Sequence, residues 1–207
     1  PFELPDSWAW CKLGDLVKFT DNFNIQAKLN RQEIINYVDI DSINNQNQTI
    51  RKVKQEPVIN LSSRARRVLK KGYVMYSLVR PYLNNLTIIK DDRPNYIGST
   101  GFAVFECLNV EKKYVFYFLL SSYIRDLYLG FMDGFNSPGI SMTQFKDTLI
   151  PLPQFEEQKA IVEKVETLME KCKLLEQEVK TSEDNSQMLM QAVLKEAFES
   201  KKEEVII

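Results

Sequence analysis

The C-terminal stretch of this chain leaves the least freedom in how it can fold. From Phe155 onward, Ile161, Val165, Leu168, Cys172, Leu175 and Val179 recur at steps of four, three, four, three and four, which is the seam of a heptad repeat on one long amphipathic helix. Pro153 precedes its first turn, and Glu156 and Glu157 lie where the positive end of a helix dipole favours acids. The same register continues through Ser182 and Ser186 to Leu189 and Val193, so the seam weakens over Thr181–Ser186 and then recovers. A kink, a tight turn making a helical hairpin, or a polar register device all fit there. Unbroken, Ile161 to Val193 would measure ~48 Å at 1.5 Å per residue, against a radius of gyration of about 15 Å for a domain of roughly 150 residues. The apolar stripe needs a partner: its own domain, a local hairpin, or a helix from another chain or another half of a longer chain.

Charge divides the chain at the same place. Residues 1–154 hold 19 Lys and Arg against 15 Asp and Glu, whereas residues 155–207 hold 8 against 13. We therefore expect a globular region over 1–154 and a helical spacer or dimerisation region over 155–207. Within the first, residues 51–71 carry eight cations (Arg51, Lys52, Lys54, Arg64, Arg66, Arg67, Lys70, Lys71) and one acid, Glu56. Such a cluster attracts polyanions even on a chain of net charge −1; its plainer reading is a solvated face.

The first region reads as α+β. Tyr37–Ile40, Ile50–Val53, Tyr73–Leu78, Leu86–Ile89, Phe102–Phe105 and Leu149–Leu152 are short, rich in β-branched or aromatic residues and bounded by turn formers, so they are predicted strands. Lys112 to Leu129 predicts one mostly buried helix of eighteen residues. Asn44–Gln48 and Gly130–Gly139 read as loops.

Several kinds of chemistry find no support. The absence of histidine removes Ser-His-Asp and Cys-His nucleophile pairs, imidazole metal ligands and a histidine pH switch. Cys11, Cys107 and Cys172 have neither zinc nor redox spacing and read as reduced thiols of a cytoplasmic protein. No phosphate-binding glycine loop or nucleophile-elbow motif occurs. The longest apolar run, Tyr114–Leu120, is seven residues, against the ~20 of a membrane span. The one spacing suggestive of metal-dependent phosphodiester cleavage is Asp147 followed by Glu157-Gln158-Lys159. Glu157 and Lys159 would point about 200° apart on a helix, so surface solvation and dipole pairing explain them better. We expect no catalytic residue, metal site or bound cofactor.

The basic cluster has the chemistry of a DNA-reading surface. Ser62-Ser63-Arg64-Ala65-Arg66-Arg67 precedes an apolar strand pattern, which places its guanidinium groups in a loop or at a strand edge. Arginine suits bidentate contacts with phosphate or guanine, and serine hydroxyls bind phosphate readily. Arg80, Tyr82 and Asn84 follow at a strand end, where a carboxamide can read adenine. Arg51, Lys52, Lys54, Ser62, Ser63, Arg64, Arg66, Arg67, Arg80, Tyr82 and Asn84 are the candidate DNA contacts. Tyr82 and the Trp8/Trp10 pair are better explained by packing than by stacking on bases. The competing reading is a coiled-coil adaptor whose cations serve solubility.

Local motifs add a resemblance. Leu4-Pro5-Asp6-Ser7-Trp8, Lys71-Gly72-Tyr73-Val74-Met75-Tyr76-Ser77 with Arg80-Pro81-Tyr82, Gly98-Ser99-Thr100-Gly101-Phe102, and Ile150-Pro151-Leu152-Pro153 with Glu157-Gln158-Lys159-Ala160-Ile161-Val162 occur in that order across nearly the whole chain. Together they resemble the specificity subunits of type I restriction-modification systems. The resemblance implies one compact mixed target recognition domain that binds double-stranded DNA, followed by one coiled-coil-type spacer helix. The usual subunit has two of each, with the spacers paired antiparallel; one of each implies a half-subunit or an excised half, and the missing initiating Met favours excision. It further implies that catalysis resides on partners: methyltransferase subunits using S-adenosylmethionine, and an ATP- and Mg-dependent restriction and motor subunit.

Overall fold

Period-two alternation organises the strands of the first compact unit. In the computed structural model, which describes residues 2–24, 30–132 and 138–203 with side chains to residue 198, β3 (Ile34–Val38) turns Ile35 and Tyr37 to one face and Val38 to the other. It lies in a four-stranded sheet of order β6-β3-β10-β7, with β6 Lys54–Pro57, β7 Ala65–Val68 and β10 Tyr96–Ser99. A second sheet has the order β2-β11-β8-β9, with β2 Val17–Phe19, β8 Val74–Ser77, β9 Leu86–Ile88 and β11 Phe102–Cys107. Two small pairs complete the strands: β1 (Ala9–Lys12) with β12 (Leu149–Leu152), and β4 (Ile43–Asn44) with β5 (Thr49–Ile50).

The two large sheets share an apolar cluster that takes Val38 and Tyr96 from the first and Met75, Phe102 and Val104 from the second. On the far face of the first sheet, Ile35, Tyr37, Ala65 and Ile97 form another cluster with Val58. That cover comes from the connection leaving β6, which crosses the sheet to β7 and packs Leu61 on the way. Residues 20–23 tie the sheets edge to edge: Thr20 N–H donates to Val104 O at 2.9 Å, and Val68 N–H donates to Asp21 O at 3.3 Å. The second sheet backs onto helices through aromatic packing, Tyr76 stacking on Phe145 at 5.1 Å and meeting Tyr128 edge-on at 6.0 Å. The Tyr128 and Thr148 hydroxyls share a hydrogen bond of 2.8 Å.

Several predicted elements differ in extent. The single eighteen-residue helix is two, α2 (Lys112–Leu119) and α3 (Ser122–Gly130). Ser121 breaks it, because its side chain caps α3 by accepting from Ile124 N–H and serine gains more at a cap than in a helix interior. The predicted strand Ile50–Val53 stops at Ile50, where Arg51 N–H turns to Ser42 O. The predicted strand Tyr37–Ile40 lies earlier, at Ile34–Val38, because Asp39 caps a 3-10 turn over Ile40–Ser42; strands β1, β2, β4, β6, β7 and β10 and the short helices α1 (Leu13–Leu16) and α4 (Met142–Asp147) are outside the predicted set. Of the predicted Gly130–Gly139 loop, residues 133–137 lie outside the described residues.

The last element, α5 (Phe155–Glu203), is a continuous helix of 49 residues. Neither a hairpin nor a break occurs at Thr181–Ser186. The hydroxyls there bond within the helix, Thr181 Oγ1 to Gln177 O at 2.9 Å and Ser186 Oγ to Ser182 O at 2.8 Å, so they do not compete with it for backbone groups. The chain divides into two compact units, residues 1–160 and 161–207. Among the described residues, no helix is long and apolar enough to cross a membrane.

Gln158 anchors the first turn of α5. Its side chain is 2% exposed, accepts from Glu111 N–H at 2.8 Å and donates to Pro153 O at 2.9 Å. Replacing Gln158 with alanine leaves a buried donor and acceptor unmatched and is expected to lower stability by about 2 kcal/mol or more. The exposed neighbour Lys159 pairs with Glu156 at 3.0 Å and lies over the Phe155 ring at 4.6 Å, surface contacts whose loss in Lys159→Ala should cost no more than about 1 kcal/mol. Denaturant unfolding of the three proteins checks both.

Candidate nucleic-acid interface

Strand direction, more than sequence proximity, assembles the basic site. Strands β3 and β10 run parallel, while β6 and β7 run against them. The ends of β3 and β10 therefore coincide with the starts of β6 and β7: Lys54 opposes Tyr37, and Ala65 opposes Ser99. Four connections meet at that end, carrying Asp39–Asp41, Arg51–Lys54, Ser62–Arg64 and Thr100–Gly101. Arg51, Lys52, Ser62, Ser63, Arg64 and Arg66 are exposed there, and Lys54 is half-buried.

One acid tempers this charge. Lys54 Nζ lies 3.8 Å from Asp39 Oδ2, and the Asp39 side chain also caps a 3-10 turn by accepting from Ile40 N–H at 2.8 Å. Arg51 donates from Nε and Nη2 to the backbone oxygen of Asp41 at 3.0 and 2.7 Å, fixing the guanidinium while leaving its charge unneutralised. The cationic window of the sequence is also divided. Lys70 and Lys71 follow the far end of β7, which carries the chain about 13 Å away at ~3.3 Å per residue, so they do not belong to this end of the sheet.

The three arginines of the Ser62–Arg67 segment are unlike one another. Arg64 has its backbone oxygen bonded by Thr100 N–H at 2.7 Å and its side chain exposed. Arg66 Nε donates to Ser63 O at 3.0 Å, holding an exposed guanidinium over the serine turn. Arg67 sits at a bulge opposite Gly98 and is half-buried; its Nη1 donates to Asn22 Oδ1 at 2.7 Å. Its Nε is buried without an acceptor among the described residues, and burial lowers its pKa, although an arginine stays charged. Arg67 is partly committed to the fold, in contrast with Arg64 and Arg66.

A second segment reaches the same region through β8. Leu78 N–H donates to Gly101 O at 2.8 Å, placing the residues after β8 beside the β10–β11 turn. Arg80 is exposed and left-handed, with φ 48°, immediately before Pro81. Both features are disfavoured for an arginine backbone; Arg80 N–H donating to Pro138 O at 2.9 Å helps to hold it. Asn84 is also left-handed, with φ 54°, and it and Tyr82 are half-buried. Asn45 Nδ2 donates to Leu83 O at 2.9 Å, tying the polar Asn44–Gln48 loop to this turn. Trp10 is packed, edge-on to Phe2 at 5.0 Å.

Sequence reasoning missed Asn22, Asp39, Asp41, Asn45 and Thr100 as members of this region; none stands in a periodic pattern. The suggested cleavage triplet does not assemble. Asp147 pairs with Lys12 Nζ at 2.8 Å, raising the Lys12 pKa through that hydrogen bond and its charge. Among the described residues, no three acids or cysteines are grouped to hold a metal ion.

Along α5, the predicted seam becomes more exposed from its first turns onward. Ile161 and Val165 are half-buried, and Leu168, Cys172, Leu175, Val179, Leu189 and Val193 are exposed. Met188, Met190, Leu194 and Phe198 are exposed as well, so the helix is apolar on more than the seam side beyond Ser186.

Residues 5–182 match the family model described as the type I restriction modification DNA specificity domain. The chain is 24% identical over 197 residues to the type I restriction enzyme MjaVIII specificity subunit of Methanocaldococcus jannaschii, covering 93% of this chain and 46% of that protein. It is 26% identical over 204 residues to the EcoAI specificity subunit of Escherichia coli, covering 93% and 33% respectively. The crystal structure of the HsdS subunit from Thermoanaerobacter tengcongensis superposes with a TM-score of 0.81 at 31% identity, covering 93% of this chain and 50% of that one. The chain spans half or less of the length of each of these relatives.

Proposed function

Because the chain belongs to the type I restriction-modification DNA specificity family, we propose that it supplies one half of a split DNA recognition function and no chemistry of its own. The observation that carries this reading is the gathering of Arg51, Lys52, Lys54, Arg64 and Arg66 at one end of a sheet, with Arg80 close by. Phosphate contacts by these cations give salt-dependent affinity through counterion release, and the aimed arginines and Asn84 supply base discrimination.

The exposed α5 seam pairs with a second spacer helix, which brings a second recognition domain and a second half-site. One seam satisfies one partner helix. The wider apolar surface from Met188 to Phe198 suits an additional subunit, and a methyltransferase subunit is the partner this reading assigns. S-adenosylmethionine, ATP and Mg²⁺ act on the methyltransferase and the restriction and motor subunits, in the cytoplasm.

Methylation-site profiling of DNA treated with the chain reconstituted with its methyltransferase subunits tests the proposal. The expected result is modification confined to a bipartite motif with one defined gap. Modification without sequence preference, or a motif unchanged when this chain is replaced by another family member, would count against it.

A further inference from the structure

The turn between β10 and β11 carries no charge, yet its geometry bears directly on Arg64. Thr100 N–H holds the Arg64 carbonyl at 2.7 Å, and Arg64 N–H donates to Ser62 Oγ at 3.2 Å. Gly101 is fixed from both sides as well: its N–H donates to Ser99 Oγ at 3.3 Å, and its carbonyl accepts from Leu78 N–H at 2.8 Å. Neither backbone is free to drift. A Cβ on Gly101 would stand 3.1 Å from Arg64 Nη2 and 2.8 Å from Ile40 Cδ1, inside ordinary van der Waals contact. The backbone does not demand a glycine there, since only Gly72 among the described glycines has a positive φ. The missing side chain makes room for a guanidinium.

We propose that Gly101 is a positioning residue for base recognition, its bare Cα forming the seat on which the Arg64 guanidinium is aimed. The proposal rests on the reading of Arg64 as a DNA contact. A bidentate arginine–base contact needs the planar fork oriented to both acceptors, whereas attraction to phosphate needs only the charge nearby. Both atoms that a methyl group would crowd are the far ends of flexible side chains. Gly101→Ala therefore shifts the fork by a few tenths of an ångström or more without dismantling the turn, and discrimination suffers where general affinity does not.

The test uses the full chain and two duplexes, one selected by it from a random-sequence pool and one scrambled, with affinity read by fluorescence anisotropy across a salt series. Gly101→Ala is expected to reduce the selected-to-scrambled affinity ratio at least about fivefold and to leave the salt slope on the scrambled duplex unchanged. Arg64→Ala should weaken binding to both duplexes, and adding Gly101→Ala to it should change nothing further. The pair Gly101→Ala with Ile40→Val removes the crowded Cδ1 and should keep the reduced ratio; it also carries the test if the single variant loses thermal stability. A retained ratio in Gly101→Ala, a further loss in the double variant with Arg64→Ala, or restoration by Ile40→Val would overturn the positioning role. Arg64→Ala binding both duplexes like the parent would instead sink the DNA-contact reading beneath it.

Discussion

Arg64→Ala combined with Arg66→Ala is expected to weaken duplex binding ten- to a hundredfold at near-physiological salt, and to reduce the slope of log affinity against log salt by about two. Both guanidinium groups are exposed at the cationic end of the β6-β3-β10-β7 sheet. Lys70→Ala with Lys71→Ala removes the same charge from the opposite end of β7. Beyond a Debye length of about 8 Å such charges act weakly, so this pair should lose no more than about threefold. Arg67→Ala should separate from both. With Nη1 bonded to Asn22 and its side chain half-buried, its replacement should lower stability more than affinity. Anisotropy titrations over a salt series, with unfolding midpoints measured alongside, distinguish the three. Equal losses for the Arg64/Arg66 and Lys70/Lys71 pairs would mean that net charge, rather than this end of the sheet, governs binding.

Leu168→Glu with Leu175→Glu is expected to abolish self-association. The two leucines are 48% and 59% exposed and stand one heptad apart on the seam, so each acid would enter the contact between paired helices and face apolar or like-charged neighbours. Leu174 is 55% exposed but about 100° from Leu175 around the helix, and Leu174→Glu should leave the assembly intact. Light scattering gives the mass, and the unfolding midpoint of the globular unit should not move. A dimer that survives the seam substitutions, or one that Leu174→Glu disrupts equally, would show that pairing uses another face.

The helix was readable from the sequence because its determinants are local: a 4-3 apolar repeat, acids in the first turn and a proline ahead of it. Its continuity past Thr181–Ser186 was less so, since it depends on whether each hydroxyl turns outward or bonds back to its own helix, a choice composition leaves open. Among the strands, β8, β9, β11 and β12 were legible from their β-branched or aromatic runs. Strand β7 (Ala-Arg-Arg-Val) was not, because partners supply its pairing: β10 on one edge and the Asn22 bridge on the other. The site was legible as chemistry but not as geometry. Adjacent numbering suggested one cluster from Arg51 to Lys71, while the sheet separated Lys70 and Lys71 and added Asp39 and Asp41. Gly101 was visible as part of a motif, but its relation to Arg64 exists only once β7 and β10 are paired.

Gathering the cations at one end of the sheet separates two kinds of change. The apolar clusters beneath draw on Val38, Ile97, Ala65 and their neighbours, and these constrain which sequences fold. Residues at Arg51, Lys52, Ser62, Ser63 and Arg66 reach no such cluster. Exchanging them rewrites what the rim contacts while the scaffold keeps its registers. On the proposed reading, such a chain would drift to a new target through surface substitutions alone, with its long C-terminal helix left untouched.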